Sequence, residues 1–163
     1  MLKKYYPFEY VESVFTIDYE KLWQIGYKGI IFDIDNTLVP HGGKSNDKVD
    51  KLFKKIQQLG FKTFILSDNG KDRINNFLTN IECQYIDNAN KPSVEGYNKA
   101  IKIMNLNKNE VVFIGDQIFT DILGANRAGI ANILVKFIGH DTEKKIGIMY
   151  RESFRIRKIL FVV

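Results

Sequence analysis

The sequence has almost no cysteine, no long apolar run and no internal repeat, and these features exclude several classes of protein. Cys83 is the only cysteine among the 163 residues, so an intrachain disulfide is impossible and a reducing compartment is favoured. No apolar stretch approaches the roughly 18 residues of a membrane-spanning helix, and residues 1–6 lack the apolar core of a signal peptide. We therefore expect a cytoplasmic protein without a transmembrane segment.

Length and composition are those of an ordinary globular domain. Hydrophobic residues make up 45% of the chain and charged residues 26%, and 163 residues suffice for one domain with a substantial core. We expect a single domain over residues 1–163, divided into an aromatic-rich N-terminal arm (residues 1–27), a central unit (28–135) and a basic tail (136–163). The arm should pack on the central unit through its aromatic side chains and a short helix near Tyr19–Gln24.

Positive charge is concentrated in the basic tail. The net charge of the chain is +5, and residues 136–163 contain seven lysines and arginines against three acidic residues. Such a tail can bind an anionic lipid surface, a nucleic acid or an acidic protein face. Two alternatives without a binding role explain the same composition: the tail is a solvated surface segment, or it is a terminal helix or strand that packs on the rest of the domain. Nucleic acid is the less favoured partner, because the aromatic arm lacks the interleaved arginines that accompany base stacking.

Strand-like and helix-like segments alternate through the central unit. Short apolar runs predict strands, and apolar residues spaced three and four apart predict helices. The expected strands are Lys28–Asp33, Phe61–Leu66, Gln84–Ile86, Val111–Ile114 and Asn132–Val135, and the expected helices are Asn46–Leu59, Gly70–Asn80, Ser93–Met104 and Phe119–Ala128. This order predicts an α/β fold, a doubly wound parallel sheet of about five strands in a three-layer α/β/α arrangement.

Asp33 and Asp35, at the end of the first predicted strand, are the most informative residues of the chain. The preceding run Ile30–Phe32 is apolar at every position, as in a strand that is buried on both faces. Two carboxylates at the end of such a strand repel each other, and a bound cation is the simplest relief. The pair therefore indicates a cation site above the sheet.

Polar residues also follow the next three predicted strands. In an open parallel sheet, the side chains that follow the carboxyl ends of the strands meet in one place. These residues are Ser67, Asp68 and Asn69 after the second strand, Lys91 after the third, and Asp116 and Asp121 after the fourth. Acids for a divalent metal, together with a hydroxyl and a lysine for phosphoryl oxygens, are the groups that phosphoryl transfer requires. Mg²⁺ suits such a site because it prefers hard oxygen ligands.

A phospho-acceptor domain of the response-regulator type uses similar residues on a similar sheet. Such a receiver carries its acidic pair after the first strand, its acceptor aspartate after the third and its lysine after the fifth. Here Lys91 follows the third predicted strand, while Asp116 and Asp121 follow the fourth. The order of the residues therefore favours an enzyme over this non-enzymatic alternative.

Four segments resemble the four motifs of the haloacid-dehalogenase (HAD) superfamily phosphatases. Asp33-Ile34-Asp35-Asn36-Thr37 resembles the DxDxT signature, Ser67 the second motif, Lys91 the third, and Gly115-Asp116…Asp121 the fourth, GDxxxxD. The resemblance implies that Asp33 is the nucleophile and a metal ligand, and that Asp35 is the general acid/base and binds metal through its backbone carbonyl. It further implies that Asp116 is a metal ligand and that Asp121 either binds the metal directly or contacts a residue that does. Ser67 and Lys91, with the neighbours Asp68 and Asn69, would bind the phosphoryl group.

A closer resemblance is to the YqeG-type branch of HAD subclass IIIA. It rests on the run Gly26–Val39, on Asn90-Lys91-Pro92, on Gly115-Asp116-Gln117 and on the aromatic arm. That branch is similar to phosphatases that act on phosphatidylglycerophosphate. The resemblance implies a Mg²⁺-dependent phosphomonoester hydrolase that forms an aspartyl-phosphate and produces phosphatidylglycerol. The mixture of basic and apolar residues over 151–163 separately indicates a peripheral contact of the tail with the inner face of the membrane.

The predicted fold leaves no room for a lid over the site. Between Thr37 and Ser67 the chain has length for a turn and one helix, and between Ser67 and Lys91 for a helix and a short strand. A site without a cap domain suits a bulky substrate that covers it and excludes water. A phospholipid headgroup, a phosphoprotein and a polynucleotide end all meet this condition.

Overall fold

A computed structural model describes residues 2–138 of the chain, which form a six-stranded parallel sheet flanked by helices. The strands are β1 (Glu9–Val11), β2 (Gly29–Phe32), β3 (Lys62–Leu66), β4 (Gln84–Ile86), β5 (Val111–Gly115) and β6 (Ala131–Val135). The α-helices are α1 (Tyr19–Gln24), α2 (Asp47–Leu59), α3 (Lys71–Phe77), α4 (Val94–Met104) and α5 (Leu123–Ala128). Short 3₁₀ turns occupy Lys3–Tyr5, Val14–Thr16, Leu78–Asn80 and Lys108–Glu110, and a π-helical turn spans Ile118–Ile122. Most of the basic tail lies outside the described residues.

The strands occur in the order β1-β6-β5-β2-β3-β4, and every neighbouring pair is parallel. β2 lies in the interior of the sheet between β5 and β3, and all four of its residues are buried. A strand covered on both faces reads as a continuous apolar run, which is why Gly29–Phe32 has no polar alternation. The ends of β5, β2, β3 and β4 are therefore adjacent, as the sequence predicts.

Side-chain alternation along β2 divides the core into two layers. Ile30 and Phe32 pack with Phe53 and Ile56 of α2 on one face of the sheet. Ile31 packs on the other face with residues of α4 and α5. Because successive side chains of a strand point to opposite faces, one apolar strand supports helices on both sides. The predicted three-layer α/β/α arrangement is thereby confirmed.

Helix boundaries follow local capping signals. The side chain of Asn46 accepts hydrogen bonds from the backbone amides of Lys48 and Val49, and α2 ends at Gly60, whose φ of 109° favours glycine. Ser93 caps α4 by accepting from the amide of Glu95. Both helices begin one residue after the predicted position, because the capping residue itself is not helical.

The structure differs from the prediction in one strand and in two helices. The sheet has six strands rather than about five, because Glu9–Val11 in the aromatic arm pairs with β6 at the edge of the sheet. A three-residue edge strand is too short to show an alternating pattern. The helix predicted over Gly70–Asn80 is regular only over Lys71–Phe77 and ends in the 3₁₀ turn Leu78–Asn80. The helix predicted over Phe119–Ala128 begins as the π-helical turn and becomes regular only in α5.

The connections on either side of β3 are short. β2 and β3 are joined by a tight turn and α2, and β3 and β4 by α3 with its 3₁₀ turn, so neither connection forms a cap domain. Within residues 2–138, no helix combines the length and the apolar character needed to cross a bilayer.

Candidate functional site

The turn after β2 brings two acidic side chains to the carboxyl edge of the sheet. The amide of Asp33 donates to the carbonyl of Ile114 over 3.0 Å and so extends the ladder between β2 and β5. Asn36 takes a left-handed φ of 61°, a conformation that asparagine tolerates, and its amide donates to the carbonyl of Val39 over 2.7 Å. This tight turn leaves Asp33 and Asp35 in the site, and both are buried.

Three carboxylates converge beside this turn. Asp33, Asp116 and Asp121 each offer one oxygen, and these three oxygens lie within 4.8 Å of one another. All three residues are buried, so water does little to reduce their mutual repulsion. Carboxylate oxygens at this spacing are hard donors that suit a divalent cation such as Mg²⁺. The Asp35 carboxylate is not a member of this group, so a contact of Asp35 with metal through its backbone carbonyl remains a prediction.

The ammonium group of Lys91 lies between two of these carboxylates. Its Nζ atom is 2.9 Å from Asp33 Oδ1 and 2.6 Å from Asp121 Oδ1, and the side chain is only 3% exposed. Burial alone would lower the pKa of Lys91, but the negative charges of Asp121 and Asp33 hold the pKa well above its ordinary value. The backbone amide of Lys91 also donates to Asp68 Oδ1 over 2.8 Å, which anchors the loop after β4. Lys91 therefore stays charged within the site.

Burial dominates the protonation of Asp33. Burial, the largest effect, raises the pKa of the carboxyl group, Lys91 lowers it and the charge of Asp121 raises it, and together these effects move the pKa from 3.8 to about 7. A carboxyl group with this pKa competes for a proton near neutral pH unless a cation neutralises it. Asp33 therefore differs from a surface acid, and its role as a metal ligand remains a prediction.

The π-helical turn after β5 orients the other two carboxylates. Asp121 Oδ2 accepts hydrogen bonds from the amides of Asp116 at 3.1 Å and Gln117 at 3.0 Å. This loop closes on Gly115, where a β-carbon would collide with the Asp121 carboxylate. The Thr37 hydroxyl donates to Asp116 Oδ1 over 3.0 Å. Asp116 and Asp121 are therefore held by the loop itself and by the turn after β2.

A different set of donors surrounds Asp35. Its Oδ1 atom accepts from Arg73 Nη2 at 2.7 Å and from the amide of Gly42 at 2.8 Å, and its Oδ2 atom accepts from Asn69 Nδ2 at 2.6 Å. Burial alone would raise the pKa of Asp35, but these hydrogen bonds, with Arg73 first, lower it below its ordinary value. His41 Nδ1 lies 3.9 Å from Asp35 Oδ1 at the exposed side of the site. The environments of the two acids of the first motif thus shift their pKa values in opposite directions: the pKa of Asp33 is raised and that of Asp35 is lowered.

The residues after β3 form a network with the other loops. Ser67 Oγ accepts from the amide of Asn69 at 3.1 Å and from Asn69 Nδ2 at 2.9 Å, so Asn69 connects Ser67 with Asp35. The Asp68 carboxylate accepts from the backbone of Lys91. Asp68 and Asn69 therefore support the site through their side chains, and the binding of phosphoryl oxygens by Ser67, Asp68, Asn69 and Lys91 remains a prediction.

Sequence reasoning missed three contributors to the site. Arg73 belongs to α3 and is separated from the motif residue Ser67 by a turn. Nothing in the neighbouring sequence distinguishes it from an ordinary basic residue on the surface of a helix. Gly42 contributes only a backbone amide. The Tyr97 hydroxyl, carried by α4, donates to the backbone carbonyl of Asp121 over 3.1 Å. Such contacts depend on the path of loops in space, so no pattern of residue types indicates them.

Comparisons with known proteins agree with this geometry. A family model described as a haloacid dehalogenase-like hydrolase matches residues 39–129. Probable phosphatase YqeG of Bacillus subtilis (strain 168) is 39% identical over 137 residues, which cover 83% of this chain and 80% of that protein. Glyceraldehyde 3-phosphate phosphatase of Pyrococcus abyssi (strain GE5 / Orsay) is 23% identical over 96 residues, which cover 53% of this chain and 40% of that protein.

Solved structures show the same fold. The crystal structure of an uncharacterized protein from Listeria monocytogenes serotype 4b superposes with a TM-score of 0.57 at 23% identity, and the match covers 72% of this chain and 85% of that chain. This likeness concerns the fold alone. The family model spans more than half of the present chain, and the Bacillus relative spans most of it. The chain therefore belongs to the haloacid dehalogenase-like hydrolases and is a phosphatase of the YqeG type.

Proposed function

We propose that the protein is a Mg²⁺-dependent phosphomonoester hydrolase that works through an aspartyl-phosphate and acts on phosphatidylglycerophosphate. The observation that carries the proposal is the convergence of Asp33, Asp116 and Asp121 within 4.8 Å at the carboxyl edge of the sheet, beside the buried ammonium of Lys91. A concentrated set of acids with one lysine is what a phosphate dianion requires for charge neutralisation and in-line attack. A receiver-type phospho-acceptor is the weaker alternative, because the chain belongs to a family of hydrolases.

The three clustered carboxylates would hold the metal, together with the backbone carbonyl of Asp35. Their oxygen donors match the preference of Mg²⁺, and three buried acids beside the single ammonium group of Lys91 leave negative charge that a further cation would neutralise. When bound, the ion would neutralise phosphoryl oxygens and the developing charge of the reaction. Thr37 supports this role because it orients Asp116 through a neutral donor and leaves the carboxylate charged.

In the proposed reaction Asp33 is the nucleophile. One oxygen of its carboxylate attacks phosphorus, the bond between phosphorus and the ester oxygen breaks, and an aspartyl-phosphate forms. Lys91 Nζ, at 2.9 Å from Asp33 Oδ1, lies where it would bind a phosphoryl oxygen of the substrate. The Ser67 hydroxyl and the loop amide of Asp68 would bind the remaining phosphoryl oxygens, and the amide of Asn69 would join them by exchanging its hydrogen bond with Ser67 Oγ for one with the substrate.

Asp35 would move protons in both halves of the reaction. It gives a proton to the leaving ester oxygen, and in the second half it takes a proton from the water that attacks phosphorus. That attack breaks the acyl-phosphate bond, which releases inorganic phosphate and restores Asp33. The donors around Asp35 keep it ionised before substrate binds, and the arrival of a phosphate dianion beside it favours uptake of the proton that the first half needs.

The substrate assignment rests on the short connections and on the relatives. No cap domain covers the site within the described residues, so a large substrate that excludes water by itself is favoured. The motifs also resemble those of the YqeG-type branch, which in turn resembles phosphatases that act on phosphatidylglycerophosphate. We include in the proposal a single domain over residues 1–163, a cytoplasmic location, and a peripheral membrane contact of the basic tail. A phosphoprotein or a polynucleotide end is the alternative substrate.

The first experiment measures hydrolysis of an aryl phosphate with and without Mg²⁺. We expect turnover that requires Mg²⁺ and falls to the background rate in Asp33→Asn. Asp47→Asn is the matched control, because Asp47 is an exposed residue in the first turn of α2. Folded, Mg²⁺-loaded wild-type protein without activity towards any monoester would contradict the enzyme mechanism.

The second experiment compares phosphatidylglycerophosphate in detergent micelles with soluble sugar phosphates, a phosphopeptide and a 5′-phosphorylated oligonucleotide. We expect the highest kcat/KM for the phospholipid. Equal or better turnover of a soluble ester in the same assay would reject the lipid assignment while leaving the phosphatase mechanism intact.

A further inference from the structure

Arg73 has more hydrogen-bonding capacity beside the reacting groups than the protein uses. Its Nη2 atom donates to Asp35 Oδ1 over 2.7 Å, whereas Nε and Nη1 are buried and make no hydrogen bond to any atom of residues 2–138. A guanidinium group carries five N–H donors, all of them charged. Buried charged donors without acceptors lower stability, so their retention here calls for a ligand that they would serve.

The position of Arg73 indicates that the ligand would lie on the Asp35 side of the site. Lys91 contacts Asp33 and Asp121, the acids of the phosphoryl side. Arg73 contacts Asp35, which in the proposed reaction gives its proton to the leaving oxygen. The two cationic side chains therefore serve different parts of a substrate. The side chains of Arg73 and Asp35 are 17% and 12% exposed, so both border the opening of the site.

We propose that Arg73 binds a second anionic group carried by the leaving alcohol, namely a phosphodiester close to the scissile ester. This inference rests on the proposed function, whose substrate carries such a phosphodiester, and it names the residue that recognises that group. A guanidinium fork pairs with two oxygens of such a group, a geometry that a lysine cannot reproduce. To reach the anion, Arg73 exchanges its single hydrogen bond with Asp35 for two with the substrate. Asp35 keeps its hydrogen bonds from Gly42 and Asn69 during this exchange.

The test uses two water-soluble esters, so that binding to a bilayer plays no part. One is glycerol phosphate, and the other is glycerophosphoglycerophosphate, whose leaving alcohol carries a phosphodiester. For the wild-type enzyme we expect kcat/KM to be higher for the second ester by about 10- to 100-fold, mainly through a lower KM, as charge-assisted hydrogen bonds provide. In Arg73→Met this ratio should approach one, and Arg73→Lys should be intermediate. Arg127→Met, which alters an exposed arginine of α5, is the control that keeps the ratio.

A binding measurement separates recognition from turnover. Glycerophosphoglycerol contains the phosphodiester but no monoester, and calorimetry should detect its binding to Mg²⁺-loaded wild-type enzyme and a loss of that binding in Arg73→Met. If Arg73→Met slows both esters equally and leaves the ratio unchanged, Arg73 only positions Asp35 and the inference is wrong. If the wild-type enzyme hydrolyses no monoester, the proposed function fails first. Circular dichroism of both Arg73 variants shows whether they are folded.

Discussion

The hydroxyl of Thr37 donates a hydrogen bond to Asp116 Oδ1 over 3.0 Å, although the two residues are 79 positions apart in the chain. Thr37 belongs to the turn after β2, and Asp116 follows β5, so the bond joins the ends of two adjacent strands. Both residues are buried, and the neutral hydroxyl orients the carboxylate without removing its charge. Thr37 therefore fixes the orientation of a carboxylate that, in the proposed function, binds the metal.

Replacing this hydroxyl should weaken both folding and metal binding. In Thr37→Val the side-chain shape is kept, but Asp116 loses a buried donor, so we expect the free energy of unfolding to fall by about 1–3 kcal/mol. We expect Mg²⁺ affinity to fall by about 10- to 100-fold, as for other supports of metal ligands. Thr37→Ser retains the donor and should bind Mg²⁺ nearly as the wild type does. Calorimetric titration with Mg²⁺ and urea unfolding test both parts, and wild-type affinity in Thr37→Val would contradict the role of the hydroxyl.

Lys91 should stabilise the metal-free protein strongly. In Lys91→Met the carboxylates of Asp33 and Asp121 lose their buried cation, and we expect a loss of about 3–5 kcal/mol in the free energy of unfolding. Mg²⁺ should raise the Tm of this variant more than that of the wild type, because a divalent ion replaces the missing charge. Turnover should be lost.

The matched control is the exposed ion pair between Lys55 and Glu20, whose side chains are 56% and 51% exposed. Lys55→Met should cost about 0–1 kcal/mol and leave turnover unchanged. Equal losses in Lys91→Met and Lys55→Met would show that burial does not strengthen the Lys91 pairs. Urea unfolding in EDTA and thermal melts with Mg²⁺ give the measurements.

Gly115 should tolerate no side chain. A β-carbon there would collide with the Asp121 carboxylate, so Gly115→Ala should displace that acid and lower the free energy of unfolding by about 1–3 kcal/mol. Mg²⁺ affinity should fall with it. Gly70→Ala is the control, because Gly70 has an ordinary φ of −76° and no heavy atom within 4 Å of the added carbon. Unchanged Mg²⁺ binding in Gly115→Ala would show that the loop can move without loss of the site.

The contribution of Asp33 to the stability of the metal-free protein should decrease as pH rises towards neutrality. Burial raises the pKa of Asp33 from 3.8 to about 7, so between these values the folded protein keeps a proton that the unfolded chain has released. The contribution of Asp33 is therefore complete below about pH 4 and is lost as pH rises through about 7. Asp35 acts in the opposite sense, because its pKa is lowered and its contribution is lost as pH falls.

Comparison of the wild type with Asp33→Asn isolates this effect. Urea unfolding in EDTA should show that the stability of the wild type relative to Asp33→Asn declines across this interval. Mg²⁺ affinity of the wild type should rise over the same interval, because the ion competes with the proton on Asp33. A constant difference between the two proteins would mean that Asp33 is already ionised in the acidic range.

Much of the fold follows from local patterns. The apolar run before Asp33 predicted an interior strand, and β2 has two neighbours and four buried residues. The apolar spacing in Asn46–Leu59 and the glycine after it predicted α2 to within one residue. Glu9–Val11 was not predicted as a strand, because its pairing with β6 is a contact between distant segments and not a property of three residues.

The sequence by itself determined the parallel α/β sheet and the residues that gather at its carboxyl edge, because hydrophobic periodicity identifies the alternating strands and helices and the carboxyl ends of parallel strands lie at one edge of the sheet. Only the tertiary structure decided the partners of each acid. It places Asp33 with Lys91 and Asp35 with Arg73, although the two acids are one residue apart. Side chains two positions apart in an extended strand would point to the same side, so the tight turn after β2 and the paths of the loops after β3 and β4 separate the two environments. Neither is encoded in the spacing of the motif.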